Sequence, residues 1–280
     1  LLRAGGRCSM TMTAIRGFLF CAMAWQLSAC APSQPDVPYP AFVRVDEIAD
    51  VFIAGLPGVR AKGLVGADSD SAGGGYRIDL PSSWQGTSGA SPDKTLEIFV
   101  IDGELSVADV GLKRGGYAYL PPGTLGFKLK SSTGARVLYF LDDIEPSAVI
   151  KTPLILESGQ IDWEETDVDG VAVKELRADP GSGARTWLQR IEPGATIPWQ
   201  SSNANREGYL VVGNYTHSEC VGSEVATDVY FPGGYVYRPA HSIHGGPASF
   251  AAITSIWFFR ELTDGEETTH ERCEPTATGY

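Results

Sequence analysis

Apolar residues in this chain come in short runs that alternate with polar ones and stop at glycine or proline. Glu97 to Ile101 and Tyr209 to Val212 are rich in β-branched and aromatic side chains and end near Gly103 and Gly213. Val137 to Leu141 and Ile253 to Phe259 read as further apolar strands. A Gly-Tyr-x-Tyr stretch occurs twice. Its period of two puts Tyr117 with Tyr119, and Tyr235 with Tyr237, on one strand face, and turns Arg238 the other way. No strong amphipathic helix interrupts the pattern, although Val45 to Ile53 is expected to form a short one. Many short strands with glycine and proline turns predict an all-β chain of barrels or jelly rolls.

The pattern repeats. Gly58 to Leu64 shares glycine, valine, lysine and leucine with Gly170 to Leu176, and Tyr76 to Pro81 falls opposite Leu188 to Pro193. Glu97 to Gly103 corresponds to Glu207 to Gly213, and Gly115 to Pro121 to Gly233 to Pro239. Four blocks in one order indicate a duplicated domain, too long for a solenoid unit. The expected organisation is a first barrel over 45–150, a second over 151–262 and an acidic tail over 263–280.

The first residues carry an address. Met10 or Met12 is the natural beginning, which leaves 1–9 upstream. Arg16 supplies a positive charge, and Gly17 to Trp25 an apolar core too short to span a bilayer. The segment 1–29 ends in Leu27-Ser28-Ala29, and with Cys30 this resembles a bacterial lipobox, which implies lipidation at Cys30. Ala31 after the cysteine, where aspartate would favour the inner membrane, implies the outer membrane facing the periplasm. The remainder of 30–44 contains Pro32, Pro35, Pro38 and Pro40 and reads as a semi-rigid tether. Export leaves Cys220 and Cys273 as a pair in an oxidising compartment, either bridged or as two free thiols.

Charge narrows the partners. The net charge is −12, and the first 29 residues hold three arginines and no acid, so the remainder is more acidic still. Such a surface repels phosphate backbones, which excludes nucleic acid. The expected partners are a small-molecule ligand and, through the lipid, a membrane. Phosphate-binding loops, nucleophile elbows and paired CxxC motifs are absent from the sequence.

These residues resemble the cupin superfamily, and the Gly-Gly-Tyr-Val-Tyr-Arg-Pro run with His244-Gly245-Gly246-Pro247 is most similar to its ChrR-type group. The resemblance implies two tandem double-stranded β-helix barrels. The first cupin motif reads glycine, five residues, His-x-His, three or four residues, glutamate, six residues, glycine. The second repeat fits it as Gly194, then Gln200 and Ser202 in place of the histidines, then Glu207, with Gly213 one residue early. The second motif fits Gly233, Pro239, His241 at a glycine position and His244 at the metal histidine. The first repeat keeps Glu97 but has Gly126 in place of the histidine, so no metal is expected there.

For the second barrel the resemblance implies a pocket lined by Trp199, Gln200, Glu207, Tyr235, Tyr237 and His244. The same resemblance offers Gln200, Glu207 and His244 as a weak divalent-metal site, with His217 or His241 as substitutes. The metal-free alternative is His244 hydrogen-bonded to Glu207. His217 is expected at a strand edge and His270 in solvent. Three functions follow in order: a ligand-binding bicupin without catalysis or cofactor, a metal-dependent dioxygenase, isomerase or lyase, and a structural envelope lipoprotein.

Overall fold

The computed structural model describes residues 39–274 except 54, 68–72, 88–92 and 125–126. The signal segment, Cys30 and the prolines up to Pro38 lie outside the described residues, as do Gly126 and the last six positions. The described chain is strands and tight turns. Where a helix was expected over 45–53, a single 3-10 turn (Val45–Glu47) precedes a two-residue strand (Asp50–Val51). Asp46, Glu47 and Asp50 interrupt any apolar helical stripe there.

Two large antiparallel sheets organise the molecule. One runs, in spatial order, Leu154–Glu157, Gly116–Leu120, Lys94–Gly103, Ala135–Asp143, Gly74–Leu80, Arg60–Gly63 and Asp50–Val51. The other runs Val43–Arg44, Gly234–Arg238, Arg206–Val221, Phe250–Glu261, Arg185–Ile191, Val171–Ala178 and Glu164–Glu165. The edge strands are exchanged. Val43–Arg44 precedes the first half yet pairs with Gly234–Arg238 of the second, and Leu154–Glu157 precedes the second half yet pairs with Gly116–Leu120 of the first.

The expected boundaries at 45 and 151 therefore cut across both sheets. Residues 39–44 belong to the second barrel. Tyr39 is buried, the Tyr237 amide donates to the Pro40 carbonyl, and Phe42 packs on Tyr230 at 5.1 Å. The acidic tail is docked too. Glu267–Thr269 pairs with Gln200–Ser202, and Cys273 is bridged to Cys220 with an S–S distance of 2.05 Å.

Strand register shows which residues of the two halves are equivalent. Glu97 pairs with Tyr119 and Phe140 just as Glu207 pairs with Tyr237 and Arg260. Carried along the ladders, this makes Tyr76 the counterpart of Trp187. The sequence comparison set Tyr76 against Leu188, and a slip of one residue turns a strand inside out. Tyr76 is in the first barrel's core, whereas Leu188 packs between the barrels.

Three cores result. The first barrel is filled by aliphatic and aromatic side chains such as Ile78, Leu96, Ile98, Leu120 and Leu141. The second holds Trp187, Leu210, Tyr215, Tyr230, Trp257 and Phe259. Between them the large sheets meet through Phe99, Tyr117, Tyr119 and Phe140 on one side and Tyr209, Tyr235 and Phe258 on the other. Burying each such ring contributes about 1.5–3 kcal/mol, so the halves are joined by a true core.

Candidate functional site

The side chains expected to form the second pocket separate onto different surfaces. Tyr235, Tyr237 and Glu207 face the first barrel: Tyr235 donates to Glu207 Oε2 at 2.7 Å, and Arg260 Nε lies 3.5 Å from Oε1. Burial, only partly offset by Arg260 and Tyr235, holds the Glu207 carboxyl above its ordinary pKa. Trp199 packs against Cys220, Ile243 and Cys273 around the disulfide, outside the barrel. Gln200 and His244 remain inside, with their Nε2 atoms 3.5 Å apart. The proposed triad of Gln200, Glu207 and His244 does not converge, because Glu207 points through the opposite face of its strand. Nor does His244 bond to Glu207 in the metal-free alternative. His244 Nδ1 instead donates to the Ser242 carbonyl at 3.2 Å.

Glu97 has the same fate in the first half. It faces the second barrel, 2.6 Å from Arg177 Nη2, and accepts bonds from Thr186 at 2.8 Å and Tyr117 at 3.1 Å. Burial opposes its charge, but Arg177 and Arg260 prevail and hold its pKa below the ordinary value.

Alternation explains the reversal. Tyr235 and Tyr237 do share a face, but that face meets the other barrel, and Arg238 points inward. The early glycine was the clue. Gly213 adopts φ +86°, and an added Cβ would lie 2.3 Å from the Thr254 carbonyl, so glycine is required there. With six residues intervening before it, the carboxylate position of the cupin motif falls on Arg206, which lines the cavity.

What fills the second barrel is therefore an ionic cluster. Arg206 donates to Glu261 Oε1 at 2.8 Å and to Glu267 at 2.8 Å. Arg238 is buried, donates through Nε and Nη2 to Glu219 at 3.0 and 2.9 Å, and reaches His217 Nε2 at 2.8 Å. Tyr39 donates to the other Glu219 oxygen at 2.5 Å. The His217 and His244 rings lie 5.6 Å apart. His217 is thus an interior residue, not a strand-edge one.

Protonation follows from these partners. A guanidinium only donates, so His217 Nε2 must accept, which assigns its proton to Nδ1. Burial, reinforced by Arg238, pushes the pKa of His217 down and that of His244 far down, so both rings are neutral. Burial works against the Glu219 charge as well, yet Arg238 holds its pKa well below the ordinary value.

Little space is left inside. The inner cavity is about 20 Å³, room for a water molecule. It shares Gln189, Ile197 and Gln200 with a larger cleft of about 240 Å³ at the barrel mouth. Thr166 and Asp167 stand at one rim and Glu267 of the docked tail at another. Arg185, also in this cleft, stacks on Trp187 at 4.4 Å. Its side chain has no hydrogen bond or ion pair with any described residue, and its Nε is buried without a partner.

The other two histidines are peripheral. His241 is exposed, with φ +69° at the position where the cupin motif has glycine. His270 is half-buried, not solvated, and bonds Ser201 Oγ at 2.9 Å.

Comparison with known proteins agrees with two jelly-roll barrels that exchange edge strands. Residues 151–262, which hold most of the second barrel, match the ChrR cupin-like domain. Solved structures share the two-barrel fold. Protein YlbA of E. coli is 14% identical with a TM-score of 0.61, over 78% of this chain and 89% of that one. A candidate dioxygenase of Nostoc punctiforme is 21% identical with a TM-score of 0.61, over 86% and 89%. Oxalate decarboxylase of Bacillus subtilis is 12% identical with a TM-score of 0.60, over 81% and 78%. No curated protein matches the sequence.

The residues present do not fit the metal that a cupin barrel implies. A divalent site needs free imidazole and carboxylate donors. Here the glutamate position is Arg206, and the inward carboxylates Glu219 and Glu261 are each bonded to a guanidinium.

Proposed function

We propose that this protein is an exported cupin, held at the outer membrane by lipid on Cys30, that binds a small carboxylate-bearing molecule at the mouth of its second barrel without metal-dependent catalysis. The Cys220–Cys273 bridge supports an oxidising compartment. One observation carries the ligand class. In a chain with 34 acidic and 22 basic residues, the Arg185 side chain lines the cleft at the mouth of the barrel and bonds to no described acid. A guanidinium held flat on an indole is preorganised for a carboxylate. Gln189, Gln200 and Thr166 supply hydrogen bonds beside it, and Val171, Val173 and Ile197 an apolar wall. Asp167 at the rim favours a ligand that also carries a donor, such as a hydroxy or amino acid.

Thermal shift and calorimetry with a panel of small hydroxy-, amino- and dicarboxylic acids test this reading. At least one should raise the Tm of the parent protein and lose that effect in Arg185→Leu. A flat panel, or stabilisation that survives Arg185→Leu, overturns it. Anchoring is tested separately: Cys30→Ala should release the protein from the membrane fraction.

A further inference from the structure

We infer that Glu267 is a specificity-determining residue of the mouth cleft, brought there by a C-terminal strap that the Cys220–Cys273 bridge holds down. It selects a ligand with an ammonium group beside its carboxylate, which is an amino acid. This inference rests on the reading of Arg185 as the carboxylate's partner. The strap is weak by itself. Its strand, Glu267–Thr269, has three exposed residues and pairs, among the described residues, only with Gln200–Ser202 in a two-stranded sheet. Two short strands without an apolar face are marginal in water. Further contacts hold it at both ends. The Asn203 amide donates to the Glu266 carbonyl at 3.2 Å, and the Glu266 amide donates to Asn203 Oδ1 at 2.7 Å. Beyond the strand, the His270 amide donates to the Trp199 carbonyl at 2.8 Å, and Cys273 is bonded to the fully buried Cys220.

What the strap delivers is charge. Arg206 Nη2 lies 2.8 Å from Oε1 of both Glu261 and Glu267, so one guanidinium serves two carboxylates and a negative charge is left over. Glu267 lines the cleft, and its Oε2 bonds to no described residue. Asp167 lines it too, with no ion pair or side-chain hydrogen bond to any described residue. One unpaired guanidinium and two acids in the same cleft complement a zwitterion. Its carboxylate meets Arg185 and its ammonium meets Glu267 or Asp167, each as a charge-assisted hydrogen bond. A dicarboxylic acid would instead set a second anion beside those acids, and juxtaposed like charges are costly. The cleft, at about 240 Å³, is smaller than the roughly 300–1,000 Å³ of sites for drug-sized ligands, which suits a molecule of amino-acid size.

Calorimetry at neutral pH tests this with the standard L-amino acids and, for each that binds, the 2-hydroxy acid bearing the same side chain. In the bridged parent at least one amino acid should bind roughly tenfold more tightly than its hydroxy counterpart, equivalent to about 1.4 kcal/mol. Glu267→Gln should remove that preference by weakening the amino acid while leaving the hydroxy acid unchanged. Equal loss for both ligands would make Glu267 a structural residue and overturn the inference, as would a preference that survives the substitution. Cys220→Ser/Cys273→Ser, compared where near-ultraviolet dichroism shows a folded second barrel, should behave like Glu267→Gln. A folded double variant that keeps the full preference overturns the role of the bridge, and where it does not fold the Glu267→Gln comparison decides. Hydroxy acids that bind through Arg185, with no preference for amino acids, would overturn this inference and leave the carboxylate reading standing. No binding by any acid would overturn both.

Discussion

The two barrels carry the same ladder with opposite interiors. Where Lys94–Gly103 meets its two neighbours in the first barrel, three inward positions are Leu96, Leu120 and Leu141. Strand pairing makes Arg206, Arg238 and Glu261 their counterparts in the second. Facing outward from the same strands, Glu97, Tyr117 and Tyr119 correspond to Glu207, Tyr235 and Tyr237, and here the residue types agree. What the halves share is the surface by which they hold each other, and what they do not share is the inside. One barrel is a packed support, and the other is a charged chamber beneath a cleft.

That difference gives the largest expected effects. Leu120→Arg would bury a guanidinium with no carboxylate in reach, at a cost of several kcal/mol. No folded protein should accumulate, as judged by circular dichroism and gel filtration of the expressed chain. A variant that folds with the parent's Tm would mean the first barrel has polar partners or water of its own. The reverse change, Arg238→Leu, leaves Glu219 charged and buried against His217 and should cost about 3–5 kcal/mol in urea unfolding. A cost below about 1 kcal/mol, the range of a surface pair, would show that the chamber is wet rather than sealed.

The disulfide sharpens the same contrast, since it serves the second barrel alone. It closes a loop across 53 positions and ties the tail that supplies Glu267 to Arg206 and to the cleft rim. Chain entropy for a loop of that length corresponds to about 4 kcal/mol. The double variant Cys220→Ser/Cys273→Ser should lower stability by up to that amount. It should also speed hydrogen exchange at His270, whose amide donates to Trp199, before any amide of the first barrel responds. Uniform loss of protection in both barrels would show that they unfold as one unit.

The fold was legible because strand periodicity, glycine turns and a long internal repeat are local signals, and each survives without knowledge of contacts. The candidate site was legible only in part. Of the residues that the motif groups into one pocket, Gln200 and His244 line the inner cavity, while Glu207, Tyr235 and Tyr237 face the other barrel. Alternation along a strand says which residues share a face, but not which face is inside. In a chain whose halves bury both faces of their large sheets, polar residues occur on each. The motif gives no place to Arg206, Tyr215 or Glu219 and admits His217 only as a substitute ligand, although Tyr215, His217 and Glu219 alternate along one strand, Arg206–Val221. The cue that could have found them is Gly213, whose spacing fits the motif only if Arg206 holds the carboxylate position. Arg185 carries no sequence signal at all, since its lack of a partner is a property of the assembled mouth.

The smallest effect tests the shared surface, where equivalent glutamates differ in setting. Glu97 has Arg177 at 2.6 Å with Thr186 and Tyr117 beside it, whereas Glu207 has Tyr235 and a more distant Arg260 whose nearer partner is Asp142 at 2.7 Å. The Glu97 carboxyl is held below its ordinary pKa, mainly by Arg177 against the effect of burial, so its charge stabilises the fold above the unfolded-state pKa. That contribution is lost as pH falls through the folded value. Burial holds the Glu207 carboxyl above its ordinary pKa, so ionising it costs stability as pH rises through the folded value, and the cost disappears in acid. Glu97→Gln should therefore lower stability at neutral pH by about 1.5–3 kcal/mol, the scale of hydrogen bonds to a charged group. The deficit should shrink in acid, where the parent's own Glu97 becomes protonated. Glu207→Gln should be neutral or slightly stabilising at neutral pH and lose any advantage in acid. Urea unfolding of both variants across that pH range measures the two slopes. Slopes of the same sign would mean that Arg260 serves Glu207 as fully as Arg177 serves Glu97, and that the interface is electrostatically symmetric after all.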